Sequence, residues 1–177
     1  MAVLIDACVL YPTVLRRLVI GAAEAGLLVP LWSPRILEEW ARAAAREGYE
    51  IEARGEIARL KAAFPDAEIA REPQIEARLS LPDPDDVHVL AAAITGGANE
   101  LLTLNIRDFP IRTLAAHGIM RRHPDEFLLE AYHAGPAFGG VIAAVYARAQ
   151  ADGLEMSLRG LLKKSRLPRL GKAVTAT

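Results

Sequence analysis

The sequence predicts an α/β fold in which a central parallel sheet is covered by helices. Short apolar runs alternate along the chain with segments of helical periodicity, which is typical of parallel strands joined by helical crossovers. The 177 residues are 52% hydrophobic and 24% charged, the balance of a globular chain with a proper core. Aromatic residues contribute only 6% while alanine is abundant, so we expect helices to dominate.

Glycine and proline set the boundaries of the predicted elements in the first half of the chain. Gly26 ends the first helix, and Pro30 places the second strand at an edge or end of the sheet. Ser33 is the predicted N-cap of the next helix, Pro34 occupies its first position, and Gly48 ends it. The elements predicted here are strand 2–5, helix 13–25, strand 27–31, helix 34–47 and helix 52–64.

The second half of the chain continues the alternation. Asp83 is the predicted N-cap of a helix with a continuous apolar stripe, which Gly96 ends. Residues 66–82 hold at most one short strand. The elements predicted here are helix 83–94, strand 100–104, helix 111–117, strand 118–120 and helix 125–133.

The pair Gly135-Pro136 marks the predicted domain boundary. Residues 1–134 form the predicted α/β domain, and residues 135–177 form a C-terminal helical extension with a basic tail. The predicted helices of the extension are 138–151 and 157–164.

Composition excludes several classes of protein. With a formal net charge of −1, contact with a polyanion requires a local patch or a bound metal. The tail, 163–172, is one such patch, although cations are also common at a solvated helix end.

Cys8, the single cysteine, excludes an internal disulfide framework. The longest apolar stretch, 18–32, is too short and too broken to span a bilayer, and no basic leader precedes it, so we expect a cytoplasmic protein.

Acidic residues occupy equivalent places along this pattern. Asp6 directly follows the first strand, Glu38 and Glu39 lie near the start of a helix, Asp86 opens another helix, and Asp108 follows a strand. In a parallel sheet these positions meet at one edge, where the carboxylates would repel one another. A hard divalent cation such as Mg²⁺ or Mn²⁺ relieves that repulsion, and it can activate water and neutralise a phosphoryl oxygen. The set therefore predicts hydrolysis of phosphodiester bonds.

Each acid also has a purely structural interpretation. Asp83, Asp85 and Asp86 all lie at a helix start, where aspartate caps backbone N–H groups. Asp86 flanks the apolar stripe of that helix and is the better site candidate, whereas Asp85 points to nearly the opposite side. Asp108 can be a turn residue. His88 is interpreted as a packing or surface histidine. Helical geometry does not choose between Glu38 and Glu39, which flank the buried stripe of their helix on opposite sides.

The residues that carry these acids resemble the motifs of the PIN-domain family, and within it the VapC-like toxin nucleases. The resemblance covers residues about 1–133, and the motifs occur in the order of the family. The matching segments are 4–10, 33–40, 83–93 and 102–110.

The resemblance implies a three-layer, Rossmann-like fold and RNA cleavage that depends on Mg²⁺ or Mn²⁺. It implies that four acids bind the metal and act in catalysis, and it favours Glu39 over Glu38. Many members of the family place the last acid where this chain has Asn105, whereas others have the Asn-x-x-Asp-Phe arrangement found here. The resemblance therefore implies that Asp108 supplies the carboxylate and that Asn105 makes a polar contact. The implied ligands are Asp6, Glu39, Asp86 and Asp108, with Asn105, Thr103 and Ser33 around them.

The resemblance also implies partners. Toxins of this type usually pair with an antitoxin protein, commonly form homodimers and act on RNA. The resemblance implies no membrane partner. An alternative function is a catalytically weak PIN-like module that binds RNA or protein. A third interpretation, an enzyme that forms an aspartyl-phosphate on Asp6, is disfavoured, because Cys8 stands where a second acid is expected and no glycine-rich phosphate loop follows the first strand.

Overall fold

Helices and strands alternate along the chain as predicted. The computed structural model describes residues 1–175. Its strands are β1 (Ala2–Ile5), β2 (Val29–Leu31), β3 (Glu100–Leu102) and β4 (Met120–Arg122). Its helices are α1 (Ala7–Leu10), α2 (Thr13–Glu24), α3 (Pro34–Ala45), α4 (Glu50–Ala63), α5 (Pro73–Glu76), α6 (Val87–Thr95), α7 (Ile111–Ala115), α8 (Pro124–Ala134), α9 (Pro136–Ala151), α10 (Leu158–Lys164) and α11 (Pro168–Val174), with a 3₁₀ turn (Pro84–Asp86) before α6.

Within residues 1–175, the four strands form one parallel sheet in the order β2-β1-β3-β4. Leu4 of β1 lies opposite Leu31 of β2 and Leu101 of β3. β1 is a continuous apolar run, and all three residues of β3, including Glu100, are buried, because central parallel strands are covered on both faces. Pro30 lies in β2, an edge strand, as predicted. The predicted α/β fold with a central parallel sheet and flanking helices is confirmed, and the carboxyl ends of the strands meet at one edge.

The predicted caps of two helices are also confirmed. Ser33 Oγ accepts a hydrogen bond from the backbone N–H of Ile36 at 3.2 Å, and Pro34 opens α3. The Asp83 carboxylate accepts a hydrogen bond from the backbone N–H of Asp85 at 2.9 Å and so caps the 3₁₀ turn. Each cap satisfies a backbone donor that has no partner within the helix. Both caps fix helix starts at the carboxyl edge of the sheet.

One predicted strand is displaced. The sequence predicted a strand over 118–120, whereas β4 begins at Met120. Residues 118 and 119 instead close the end of α7, where Gly118 adopts a φ of 71° and the Ile119 N–H donates to the Leu114 carbonyl at 3.1 Å. A positive φ at this position favours glycine. The segment 66–82 holds the short helix α5, and Glu68 forms an isolated parallel bridge with Trp32.

The chain divides into two compact units. The first unit contains residues 1–11 and 28–122, and therefore the sheet together with α1 and α3 to α7. The second unit contains residues 12–27 and the chain from residue 123 onward, which includes α2 and α8 to α11. The boundary predicted at Gly135 stays a prediction.

The second unit is helical. α2 packs against α9, and α11 packs against α8 and α10. Where the sequence predicted only a basic tail, the structure has a helix, α11, because Leu167 and Leu170 are fully buried and hold this segment in place. In the part of the chain that the structure describes, no helix is both long enough and apolar enough to cross a membrane.

Candidate metal centre

Asp6 lies at the carboxyl end of the central strand β1. Its backbone N–H donates to the Leu102 carbonyl of β3 at 3.1 Å, which extends the ladder by one residue. The residue is only 6% exposed. A carboxylate buried to this degree is costly unless it is hydrogen-bonded, so its partners define what the site can do.

Two donors hold the Asp6 carboxylate. Thr103 Oγ1, fully buried at the end of β3, donates to Asp6 Oδ2 at 2.7 Å. Cys8 Sγ donates to the same oxygen at 3.0 Å. Burial, and then the negative charge of Asp6, raise the pKa of the Cys8 thiol to about 12, so the sulfur keeps its proton and stays a donor. Both donors reach Oδ2, an arrangement that fixes the carboxylate and leaves Oδ1 for another ligand.

Three further aspartates form a cluster at the same edge. Asp83, Asp86 and Asp108 each offer a carboxylate oxygen, and these oxygens lie within 4.8 Å of one another. The 3₁₀ turn before α6 brings Asp83 and Asp86 together, and the loop after β3 supplies Asp108. Asn105 Nδ2 donates to Asp86 Oδ2 at 2.9 Å and orients that carboxylate.

The charges in this cluster repel one another. Burial first, and then the negative charges of Asp6, Asp83 and Asp108 in that order, together raise the pKa of the Asp86 carboxyl to about 6. Asp6 is therefore electrostatically part of the cluster. A cation in its midst would relieve this repulsion.

The loop that carries Asp108 is anchored on both sides of that residue. Phe109 is fully buried in the core. Arg121 Nη1, from β4, donates to the carbonyls of Ile106 at 2.7 Å and Phe109 at 3.0 Å. Because one guanidinium holds both carbonyls, Asp108 is held at the cluster by the fold.

Glu39 and Glu38 have different surroundings. Glu39 Oε1 lies 2.9 Å from His88 Nε2 and 3.1 Å from Arg35 Nε. Burial by itself raises the pKa of the Glu39 carboxyl, but His88 and Arg35 outweigh it, so the pKa lies below its ordinary value. Glu38 instead pairs on the surface with Arg42 and with an arginine of α4. Only Glu39 of the two faces the start of α6.

The contact with His88 was missed by sequence reasoning. His88 is only 5% exposed, and it lies two residues after Asp86. Arg35 Nη2 also donates to the Asp85 carbonyl at 3.3 Å, so the start of α3 is tied to the turn before α6. Glu39 therefore lies beside the cluster, next to the turn that carries Asp86.

The sequence-predicted site residues thus fall into three places. Asp86 and Asp108 are in the cluster, Asp6 is beside it, and Glu39 is held at its margin. Asn105 and Thr103 bind these carboxylates, whereas Ser33 caps α3. Asp83 was predicted only as a cap, and it both caps the turn and joins the cluster. The signal for this second role was present in its spacing of three residues from Asp86, which places both on one side of a helical turn.

A family model described as a PIN domain matches residues 2–107, more than half of the chain. The chain belongs to the PIN-domain family. The predicted resemblance is confirmed, and the PIN match contains Asp6, Glu39, Asp83 and Asp86. Asp108 directly follows the matched segment.

One curated relative of this PIN-domain chain is a Mycobacterium tuberculosis protein named "Putative ribonuclease VapC50". The two are 44% identical over 45 residues, which cover 25% of this chain and 27% of the relative. The chain therefore spans about a quarter of the length of the curated relative that it matches. No solved structure gives a significant match to the chain.

The donor set of this PIN domain fits a divalent cation. All three ligand groups of the cluster are carboxylates, and oxygen donors suit Mg²⁺ and Mn²⁺. The negative charges of Asp6, Asp83 and Asp108 contribute to the raised pKa of Asp86, and a bound cation would offset that repulsion. Neither a thiolate nor an imidazole belongs to the cluster within the described residues, and this composition argues against zinc.

Proposed function

We propose that this PIN domain is an endoribonuclease that hydrolyses RNA phosphodiester bonds with Mg²⁺ or Mn²⁺. The observation that carries the proposal is the convergence of Asp83, Asp86 and Asp108 within 4.8 Å at the strand ends, beside the buried Asp6. Family membership alone gives the fold, whereas this cluster gives the chemistry. The ribonuclease name of the relative supports RNA as the substrate.

The chain's own residues hold and orient the acidic site. The cation would be held by Asp83, Asp86 and Asp108 together with Asp6. Before substrate arrives, the Asp6 carboxylate is fixed by Thr103 and Cys8, and that of Asp86 by Asn105. When bound, such a cation lowers the pKa of water and neutralises developing charge on a phosphoryl oxygen. In the hydrolysis, a water oxygen bonds to phosphorus and gives up a proton, the bond from phosphorus to one ribose oxygen breaks, and that leaving oxygen takes up a proton.

We further propose that the protein acts in the cytoplasm as the toxin of a toxin–antitoxin pair. The VapC50 relative and the motif resemblance support this role. An antitoxin protein and a second copy of the chain are the partners that this role requires. The proposed metal ligands and catalytic residues are Asp6, Asp86, Asp108 and Glu39, as predicted from the sequence, together with Asp83, which the cluster adds. Glu39 acts from the margin of the cluster.

Metal removal tests the proposed reaction. We expect purified protein to cleave single-stranded RNA with Mn²⁺ or Mg²⁺ and to lose cleavage in EDTA, because the cluster cannot activate water by itself. Gel analysis of end-labelled RNA measures the products. RNA binding without metal-dependent products would instead favour the binding-module alternative.

Glu39 and Glu38 offer a matched pair of variants. We expect Glu39→Gln to lower RNA cleavage by tenfold to 100-fold, the usual cost of disturbing a ligand or its support at a metal site. Glu38→Gln removes the same charge one residue away and should leave the cleavage rate within about twofold. Initial rates at saturating Mn²⁺ measure both. Equal losses in the two variants would remove Glu39 from the site.

A further inference from the structure

Charge is distributed very unevenly along this chain. Residues 156–177 contain six lysines and arginines and no aspartate or glutamate, a net charge of +6. Residues 1–155 carry 15 basic and 22 acidic residues, a net charge of −7. The overall net charge of −1 is therefore the sum of two segments with large net charges of opposite sign. Such asymmetry is typical of chains that contact polyanions.

The six cations lie on α10, on α11 and on the turn between them, and together they are called the basic surface. All six residues are exposed. The leucines between them are at most 5% exposed and form the contact of α10 with α11, so the cations are presented on a packed scaffold. The basic surface consists of Arg159, Lys163, Lys164, Arg166, Arg169 and Lys172.

A buried aspartate of α8 fixes this scaffold. Asp125 Oδ2 accepts a hydrogen bond from the Arg169 backbone N–H, and Oδ1 accepts one from the Leu170 N–H, both at 3.0 Å. These N–H groups lie in the first turn of α11, where helix donors have no intrahelical partner. α11 therefore has a defined position against α8 and cannot be described as a solvated tail.

One carboxylate of α8 pairs with the basic surface at a solvent-exposed position. Arg169 Nη1 lies 3.0 Å from Glu126 Oε1, and both side chains are more than half exposed. An exposed pair of this kind is weak, so it offsets little of the positive charge of Arg169.

We propose that the basic surface binds the phosphate backbone of single-stranded RNA, which rests on the proposed ribonuclease function. A membrane surface is disfavoured, because α10 and α11 bury Leu161, Leu162, Leu167 and Leu170 and so offer no large apolar face to a bilayer. The family match ends at residue 107, so this surface is additional to the matched PIN segment.

The dependence of binding on salt tests this proposal. The probe is a mixed-sequence single-stranded RNA of about 20 nucleotides, and binding is measured by fluorescence anisotropy in EDTA. Six phosphate contacts predict a slope of log K against log salt of about −4, at about 0.7 per contact. The triple variant Lys163→Gln/Lys164→Gln/Lys172→Gln should have a shallower slope, of about −2. Its binding should be tenfold to 100-fold weaker at about 0.1 M salt.

A control variant removes the same charge elsewhere. Arg46→Gln/Arg59→Gln/Arg78→Gln also deletes three exposed cations, so a general charge effect would change both variants equally. Equal slopes for the two variants, or an unchanged slope in the triple-lysine variant, would overturn the proposal. Preferential loss of binding to vesicles of phosphatidylglycerol, with RNA binding intact, would overturn it in favour of a membrane.

The outcome is separable from that of the proposed function. RNA binding in EDTA needs no cleavage, whereas the cleavage assay needs no particular salt slope. Cleavage with an unchanged slope contradicts only the basic surface, and the expected slopes without cleavage contradict only the ribonuclease.

Discussion

The variant Asp86→Asn is expected to lose RNA cleavage by at least about 1000-fold and, without metal, to be more stable than the wild type at pH 7. The first effect follows because the amide carries no charge to hold a cation, which supplies several kcal/mol of transition-state stabilisation. The second follows because the substitution removes a carboxylate whose ionised form is disfavoured in the folded protein. Activity and stability thus change in opposite directions.

The sign and size of the stability change come from the raised pKa of Asp86. The folded carboxyl titrates near pH 6, above its ordinary value, so the folded state binds more protons than the unfolded state between about pH 4 and 6. Stability therefore falls as pH rises through this window, and the destabilisation is fully present at pH 7. Because the side chain is only half-buried, we expect a gain of about 1–2 kcal/mol, or a few degrees in melting temperature.

Mn²⁺ should reverse the order of stability. A ligand that binds only the folded state stabilises it by about 2.7 kcal/mol at 100 times its Kd. The wild type should gain this stabilisation, whereas Asp86→Asn should gain little. Thermal melts with EDTA and with Mn²⁺ measure both effects, and cleavage assays measure activity.

Asp85→Asn is the matched control for this experiment. Asp85 is exposed on the same turn and carries the same charge, but it is not part of the three-acid cluster. We expect the free energy of unfolding of Asp85→Asn to differ from that of the wild type by less than about 0.5 kcal/mol. RNA cleavage by this variant should persist. An Asp86→Asn protein that still cleaves RNA, or that is less stable in EDTA, would contradict the role given to Asp86.

The fold and much of the candidate site could be predicted because their signals are local. Ser33 and Asp83 cap the turns that immediately follow them, so the sequence alone places them. The convergence of Asp6, Asp86 and Asp108 then follows from parallel topology, since strand ends and helix starts share one edge. No long-range contact had to be known.

The remaining features depend on contacts between distant segments. The pairing of His88 with Glu39 joins α6 to α3, and nothing in either helix by itself indicates it. The sequence around Arg121 likewise does not indicate that this residue holds the loop carbonyls around Asp108. The missed helix α11 depends on Asp125, more than 40 residues earlier in the chain. From the sequence alone, the dense run of cations is interpreted as a solvated tail, because the contact with Asp125 that orders α11 cannot be predicted from the run itself.

The second large effect is expected at this cap. Asp125→Ala should destabilise α11 by about 2–4 kcal/mol, because it leaves two N–H groups of that helix, one buried and one partly buried, without their charged acceptor. Asp125 is only 4% exposed, so water does not readily replace the carboxylate. Amide hydrogen exchange at Arg169 and Leu170 measures the local loss directly.

The neighbouring Glu126→Ala variant separates this cap from a simple loss of charge. Glu126 pairs with the Arg169 side chain, but it is 53% exposed, so its loss should cost less than about 1 kcal/mol. It also frees a cation, so RNA binding by the basic surface should strengthen slightly. In Asp125→Ala, by contrast, α11 loses its fixed position and RNA binding should weaken although the net charge becomes more positive. A change in RNA affinity that followed net charge alone in both variants would show that ordered placement of Arg169 and Lys172 does not matter.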